Sequence, residues 1–170
     1  KDLNIRTTAL RLGIVLDFDG GAMQKLLPIF KLGLGGNISN GNQWMSWIHV
    51  RDVAGIIMEA IDNPSYEGAL NAVSPNPITN REFTSTLAAI LKRPALFPVP
   101  GWILKLLFGE MSQIIIKSQK ISSVRAKILG YRFIYPKIER ALKIICDQPG
   151  HIMRMEQWVP QPIHKIFDFF

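Results

Sequence analysis

The sequence predicts an α/β fold in which strands alternate with helices. Extended apolar stretches rich in β-branched residues are each followed by a stretch whose apolar residues recur every three or four positions. That order occurs three times within residues 6–91, and it favours a mainly parallel sheet covered by helices. Beyond residue 92, prolines and short amphipathic stretches predict a small, mainly helical subdomain.

The first unit joins a strand to a helix. Residues 6–16 are rich in β-branched and large apolar residues, which is typical of one buried strand in a parallel sheet. Asp17, Asp19 and Gly20 then form a turn. Pro28 predicts a kink in the helix that follows. The helix is predicted to bury Met23, Leu26, Leu27 and Phe30.

The second unit is the stretch around which the chain is organised. Residues 44–50 are extended and lead directly into a helix that ends at Asn63. Asp52 stands in its first turn, where an acid either caps the helix or faces its unpaired amides. We expect the whole apolar face of this helix to be buried. That face consists of Val53, Ile56, Ile57, Ala60 and Ile61.

The third unit is a short strand, residues 68–74, followed by a capped helix. Thr79 and Glu82 have the spacing of a capping box. In the subdomain, one helix is predicted to end at Gly130 and Pro136 to open the last. The chain thus divides into four segments: residues 1–91, the α/β part; 92–146, the subdomain; 147–152, a linker; and 153–170, a further strand and helix.

Composition excludes several classes of protein. Hydrophobic residues make up 48% and charged residues 19%, as in globular proteins. No apolar run reaches the roughly 20 residues of a membrane span, so we expect no membrane partner. The single cysteine, Cys146, excludes an internal disulfide and indicates a reducing compartment, the cytoplasm. Its context favours a small buried side chain over a reactive thiol.

The net charge of +7 is concentrated in the subdomain. Residues 92–143 hold 11 of the 20 basic residues and 2 of the 13 acidic ones. Such a surface attracts acidic partners, so a non-catalytic basic interaction module is one alternative function. Aromatic residues do not alternate with these bases, and we therefore do not expect nucleic acid as the partner.

Asp17 and Asp19 suggest a second alternative. The Asp-x-Asp-Gly turn resembles the first motif of haloacid-dehalogenase-like phosphatases, where one Asp attacks phosphorus and the other is a general acid. No acidic pair follows a later strand, so a plain turn is favoured. The histidines have no partners at metal-ligand spacing, and no metal site is predicted.

A series of motifs in consistent order resembles one family. The motifs lie in residues 11–16, 20–22, 33–36, 43–53, 71–83, 93–100, 109–111, 118–120 and 130–136. They are similar to the C-terminal half of the YfcH-like epimerases, atypical members of the extended short-chain dehydrogenase/reductase superfamily. The subdomain is similar to that family's C-terminal domain of unknown function. The resemblance implies the C-terminal part of a Rossmann-like fold with a substrate-side subdomain.

The resemblance also implies an NAD(P)-dependent epimerase or reductase that acts on a small molecule such as a nucleotide sugar. In such proteins an N-terminal Rossmann half holds NAD or NADP and carries a Tyr-x-x-x-Lys pair. This sequence has neither that pair nor the glycine-rich cofactor turn. We therefore interpret it as a fragment without its Rossmann half, which has no catalytic residue, binds no cofactor alone and is inactive alone.

Five substrate-side residues are implied by the resemblance. Arg11 and Gly13 approach the nicotinamide end, and Arg11 is suited to an anionic group, with a structural ion pair as an equal alternative. Trp44, Trp47 and His49 face the cleft, with a core or helix-start role as the alternative. We also expect the isolated fragment to be poorly soluble, because a sheet without its first strands exposes an apolar edge.

The tail has a resemblance of its own. Residues 156–163, with the phenylalanines that follow them, are similar to the first strand and helix of START-like ligand-binding domains. This resemblance implies a fusion protein in which the given sequence ends at the edge of a second domain.

Overall fold

The computed structural model describes residues 5–95, 98–99 and 118–148. The strands are β1 Thr8–Leu12, β2 Ile14–Leu16, β3 Trp44–Met45, β4 Trp47–His49, β5 Gly68–Ala72 and β6 Ile78–Thr79. The helices are α1 Gly21–Lys31, α2 Val50–Asp62, α3 Asn80–Leu91, α4 Val124–Ile128 and α5 Ile138–Asp147. This order confirms the predicted α/β class.

The described strands form three two-stranded ladders. β1 pairs with β5 and β2 with β4, both in parallel, whereas β3 and β6 are antiparallel. The single strand predicted for residues 6–16 is wrong, because the chain changes partners at Gly13. The N–H of Gly13 donates to the Ala72 carbonyl (3.2 Å), and that of Ile14 to the Ser46 carbonyl (2.8 Å). The chain thus crosses from the β1–β5 ladder to the β2–β4 ladder.

One hydrophobic core packs around the β2–β4 ladder. It contains residues of β2, β4, α1, α3 and α5, including Leu16, Met23, Leu27, Phe30, Trp47, Phe83, Leu87, Leu142 and Ile145. The predicted face of α1 is therefore confirmed in Met23, Leu27 and Phe30, whereas Leu26 is only half-buried. Because α5 packs into this core, the C-terminal helix and the α/β part stabilise each other.

A second core lies between α2, β5 and α4. It contains Ile48, Ile56, Ala60, Tyr66, Leu70 and Ala126. The prediction that the whole apolar face of α2 is buried is wrong, because Ile57 and Ile61 are 42% and 63% exposed. With Arg6, Thr8 and Leu10 they line an open groove between α2 and β1.

The two longest helices begin differently from each other. His49, not Asp52, caps α2: its Nδ1 atom accepts the Arg51 N–H (3.1 Å). The predicted capping box of α3 is confirmed, since the Thr79 hydroxyl accepts the Glu82 N–H (3.2 Å) and the Glu82 carboxylate accepts the Thr79 N–H (2.6 Å).

The C-terminal elements follow the prediction in part. α4 ends before Gly130, whose φ of +91° is left-handed, as predicted. Pro136 does not open α5, which begins at Ile138 after Lys137. Residues 149–170, with most of the predicted linker and the START-like tail, lie outside the described residues, and the segment boundaries stay predictions. In the described part of the chain, no helix is long and apolar enough to cross a membrane.

Candidate functional site

The candidate site lies where the two parallel ladders meet, at the carboxyl end of β1. Arg11 is exposed and lies in register with Asn71 of β5. Two residues on, Gly13 has no room for a side chain, because a Cβ atom would lie 2.5 Å from the Ser46 carbonyl oxygen and 2.8 Å from Val73. The glycine is therefore required by the close approach of two chain segments.

Residues 118–135, which we call the strap, cover the far side of β5. The Asn71 side-chain amide donates to the Ser122 carbonyl (3.2 Å). The Arg125 guanidinium donates to the Ala69 carbonyl (2.6 Å) and to that of Glu67. The two Arg125 bonds occupy carbonyl groups that an edge strand otherwise offers to another chain.

The strap also pairs with the β3 end of the junction. The Trp44 N–H donates to the Ser118 hydroxyl (3.0 Å), and the Gln119 N–H donates to the Trp44 carbonyl (3.3 Å). The Ser46 hydroxyl donates to the Gln119 carbonyl and accepts the Ile121 N–H, both at 2.8 Å. Ser46 thus joins the strap to the point where the ladders meet.

Trp44 and Lys120 form the outer face of this junction. The Trp44 ring is half-exposed, and the Lys120 ammonium lies 4.1 Å from its centroid. This is a cation–π contact at an exposed position. Lys120 itself is exposed, so its charge remains available to an anion from solvent.

Trp47 and His49 lie beneath this face. They are 0% and 3% exposed. The Trp47 indole N–H donates to the Asn76 carbonyl (3.0 Å), and the His49 ring stacks on Tyr135 with centroids 4.1 Å apart. Burial lowers the pKa of His49, which the Asp52 carboxylate offsets only in part. Neither side chain offers a surface to a ligand in this structure.

Asp52 anchors the other end of the strap. It is fully buried, and its carboxylate accepts the Tyr131 hydroxyl (3.1 Å) and the N–H groups of Ile134 (2.7 Å) and Tyr135 (3.0 Å). Burial, followed by the Asp52 charge, raises the pKa of Tyr131 well above its ordinary value. Gly55 permits this approach, since a Cβ there would collide with the Tyr131 hydroxyl.

The turn before α1 does not suit the pyrophosphate of a dinucleotide. A helix N-terminus attracts phosphate, but Asp17 and Asp19 place two carboxylates in front of this one. Gly20 is the N-cap residue of α1, and because it has no side chain it makes no capping hydrogen bond. Among the described residues, no three His, Cys, Asp or Glu side chains lie together as a metal site.

Comparisons with known proteins identify the family. Residues 99–145 match a model described as a domain of unknown function, DUF1731. The chain is 42% identical over 142 residues to the "Epimerase family protein SDR39U1 homolog, chloroplastic" of Arabidopsis thaliana, which covers 84% of this chain and 41% of that protein. The structure of the present chain is similar to the crystal structure of human epimerase family protein SDR39U1 (isoform 2) with NADPH, with a TM-score of 0.80 and 38% identity. The match covers 85% of this chain and 49% of the human one.

The chain belongs to this epimerase family. It corresponds to the C-terminal part of a YfcH-like epimerase, and its fold is the Rossmann-like fold of these enzymes. The nucleoside-diphosphate sugar epimerase of Corynebacterium glutamicum is also similar, with a TM-score of 0.59, 28% identity, and coverage of 81% of this chain and 25% of that one. The present chain spans less than half the length of each of these three relatives.

The family assignment decides between the alternatives for Asp17 and Asp19. The two residues precede α1 in a turn, in a chain that is similar to epimerase-family proteins, and this favours the plain turn over a phosphatase motif. The structure brings Gly13 and Trp44 together through Ser46, and it buries Trp47 and His49 below them. Ser46 and its strap partners are 73 and 75 residues apart in sequence, and no local pattern identifies such a contact.

Proposed function

We propose that this chain forms the substrate-side part of an NAD(P)-dependent epimerase or oxidoreductase, and that a preceding Rossmann half supplies the cofactor and the proton-transfer pair. Family membership carries this proposal, together with the NADPH in the human relative. NAD(P) would accept and return hydride, while this chain binds and orients the substrate. The chain contributes no catalytic residue of its own.

The junction of the ladders is the proposed substrate wall. Arg11 and Lys120 supply exposed positive charge, and Trp44 supplies an aromatic surface. These groups suit a small molecule with both a ring and an anionic group, such as a nucleotide sugar. Trp47 and His49 stabilise the position of β4 through their contacts with Asn76 and Tyr135. Gly13 permits the close approach of the two ladders.

The open side of β1 is the proposed contact with the Rossmann half. Among the described strands, β1 pairs with β5 alone, and the strap covers the far edge of β5. The groove beside β1 exposes Ile57 and Ile61. A groove that combines these apolar side chains with Arg6 and Thr8, beside the open edge of a parallel strand, suits a further strand and helix of the same layered fold.

Cofactor titration tests the proposal that the Rossmann half, and not this chain, binds the cofactor. We expect no change in NADPH fluorescence on adding the 170-residue chain, and saturable binding by the complete gene product. NADPH binding by the chain alone would contradict the proposal. Reading the gene upstream of Lys1 should show a glycine-rich βαβ unit and a Tyr-x-x-x-Lys pair.

Surface variants test the proposed contact. Ile57→Glu with Ile61→Lys places a favourable ion pair at i, i+4 and removes apolar surface, so the chain alone should become more soluble. The same change should abolish association with a separately expressed Rossmann half. Val124→Glu is the control, because Val124 is 58% exposed on α4 and lies outside the groove.

A further inference from the structure

The strap is held to the rest of the chain at both of its ends. Its first residues bond to Trp44 and Ser46, and its last residues bond to Asp52. Both anchoring side chains lie in one continuous stretch, β3 to the first turn of α2. The strap therefore lies along the stretch that also carries the aromatic surface of the proposed substrate wall.

Asp52 serves the strap and not its own helix. An acid in the first turn of a helix ordinarily accepts amides of that turn, but His49 Nδ1 already accepts the Arg51 N–H. Both Asp52 carboxylate oxygens are consequently free for the strap, and each accepts one of its backbone amides. The sequence separation of these bonds is 82 and 83 residues.

Ser46 is the matching anchor at the other end. Ser46 is 6% exposed, and its hydroxyl donates to the Gln119 carbonyl and accepts the Ile121 N–H. Lys120 lies between these two residues, and its ammonium sits over Trp44. The backbone that carries this exposed charge is therefore held by a part-buried bond on each side of it.

We propose that Asp52 and Ser46 are positioning residues which dock the strap, and that the strap sets Lys120 over Trp44 as the outer wall of the ligand cleft. The whole strap, residues 118–135, lies within the segment matched by the domain of unknown function. The role of this part of the domain is then to complete the wall of the cleft that the α/β part begins. The cleft part of this inference rests on the proposed function; the docking part does not.

The docking is tested by amide hydrogen exchange on the 170-residue chain. In Asp52→Asn, one amide of the strap faces an NH₂ group and loses its acceptor. We expect exchange over residues 131–135 to become at least about tenfold faster, with less than about a twofold change in the β2–β4 ladder. The control is Asp62→Asn, an exposed acid at the end of the same helix, which should match the parent.

Two results would overturn the docking. One is unchanged protection over residues 131–135; the other is an equal acceleration in the β2–β4 ladder, which shows a loss of global stability only. If Asp52→Asn does not fold, Tyr131→Phe removes a single bond to the same carboxylate. It should accelerate exchange at Ile134 by roughly threefold.

The cleft role is tested with UDP as the probe on the complete gene product. Asp52→Asn should weaken UDP binding at least about fivefold, and Lys120→Gln should do the same without altering exchange over residues 131–135. Parent-like UDP affinity in both variants, with the exchange effect present, would leave the strap as a structural element only and overturn its cleft role. Absence of UDP binding by the parent protein would instead contradict the proposed substrate class.

Discussion

Gly13 lies against the carbonyl oxygen of Ser46 so closely that a Cβ atom at position 13 would be 2.5 Å from it. The same oxygen accepts the N–H of Ile14 at 2.8 Å. Residue 13 therefore cannot move away without breaking the bond that begins the β2–β4 ladder. This contact fixes the point at which the two parallel ladders meet.

Gly13→Ala should destabilise the chain by about 2 kcal/mol, the usual cost of forcing extra volume into a packed site. Urea unfolding followed by circular dichroism measures this free energy. Gly20→Ala is the matched control, because its φ of −151° suits any residue and the nearest atom to its Cβ is 3.9 Å away. Equal losses in the two variants would show that the Ser46 contact relaxes freely.

Features whose causes lie within one turn of the chain could be predicted. The Thr79–Glu82 box and the end of α4 at Gly130 depend on residues at most four positions apart, and both are confirmed. The alternation of strands and helices is equally local, since each element carries its own apolar period. The family resemblance then supplied the identity that local patterns lack.

Features that depend on distant residues could not be predicted. Its place in the first turn of α2 predicts that Asp52 caps this helix. The partners of its carboxylate lie 79 to 83 residues further along the chain, and His49 caps the helix instead. Ile57 and Ile61 have the spacing of buried residues, yet no described element covers them. Periodicity shows which face of a helix is apolar; it does not show whether a neighbour is present.

Gly55→Ala tests the contact between α2 and Tyr131. Alanine improves helix propensity by about 1 kcal/mol, but its Cβ would collide with the Tyr131 hydroxyl. We expect a net loss of stability, because displacing that hydroxyl also breaks its bond to the buried Asp52 carboxylate. Thermal unfolding of the variant and the parent measures the outcome.

The double variant separates the two effects. Tyr131→Phe removes the oxygen that the new Cβ would meet, so Gly55→Ala should cost less, or should stabilise, in that background. The coupling between the two positions should amount to roughly 1 kcal/mol or more. Additive effects would mean that the collision does not decide the cost of the substitution.

Cys146 should be a slow thiol in the folded chain. Burial, followed by the neighbouring Asp147 charge, raises its pKa to about 11. At pH 8 the thiolate fraction is then roughly a hundredfold lower than for an unperturbed cysteine, and only the thiolate attacks iodoacetamide. Mass spectrometry should show labelling slower by about that factor in the folded chain than in urea. Similar rates in both states would contradict the half-buried environment of Cys146.

Stability should fall on mild acidification because of His49. Burial lowers the pKa of this imidazole in the folded chain, so the unfolded chain binds the proton first as the pH falls below about 6.5. The chain has its full stability about one pH unit above that value, and stability declines as the pH falls from about 7.5 to about 5.5. His49→Asn keeps an acceptor for the Arg51 N–H but cannot titrate in this range. The melting temperature of the parent should therefore drop more steeply over this interval than that of the variant, and parallel curves would show that His49 does not carry the effect.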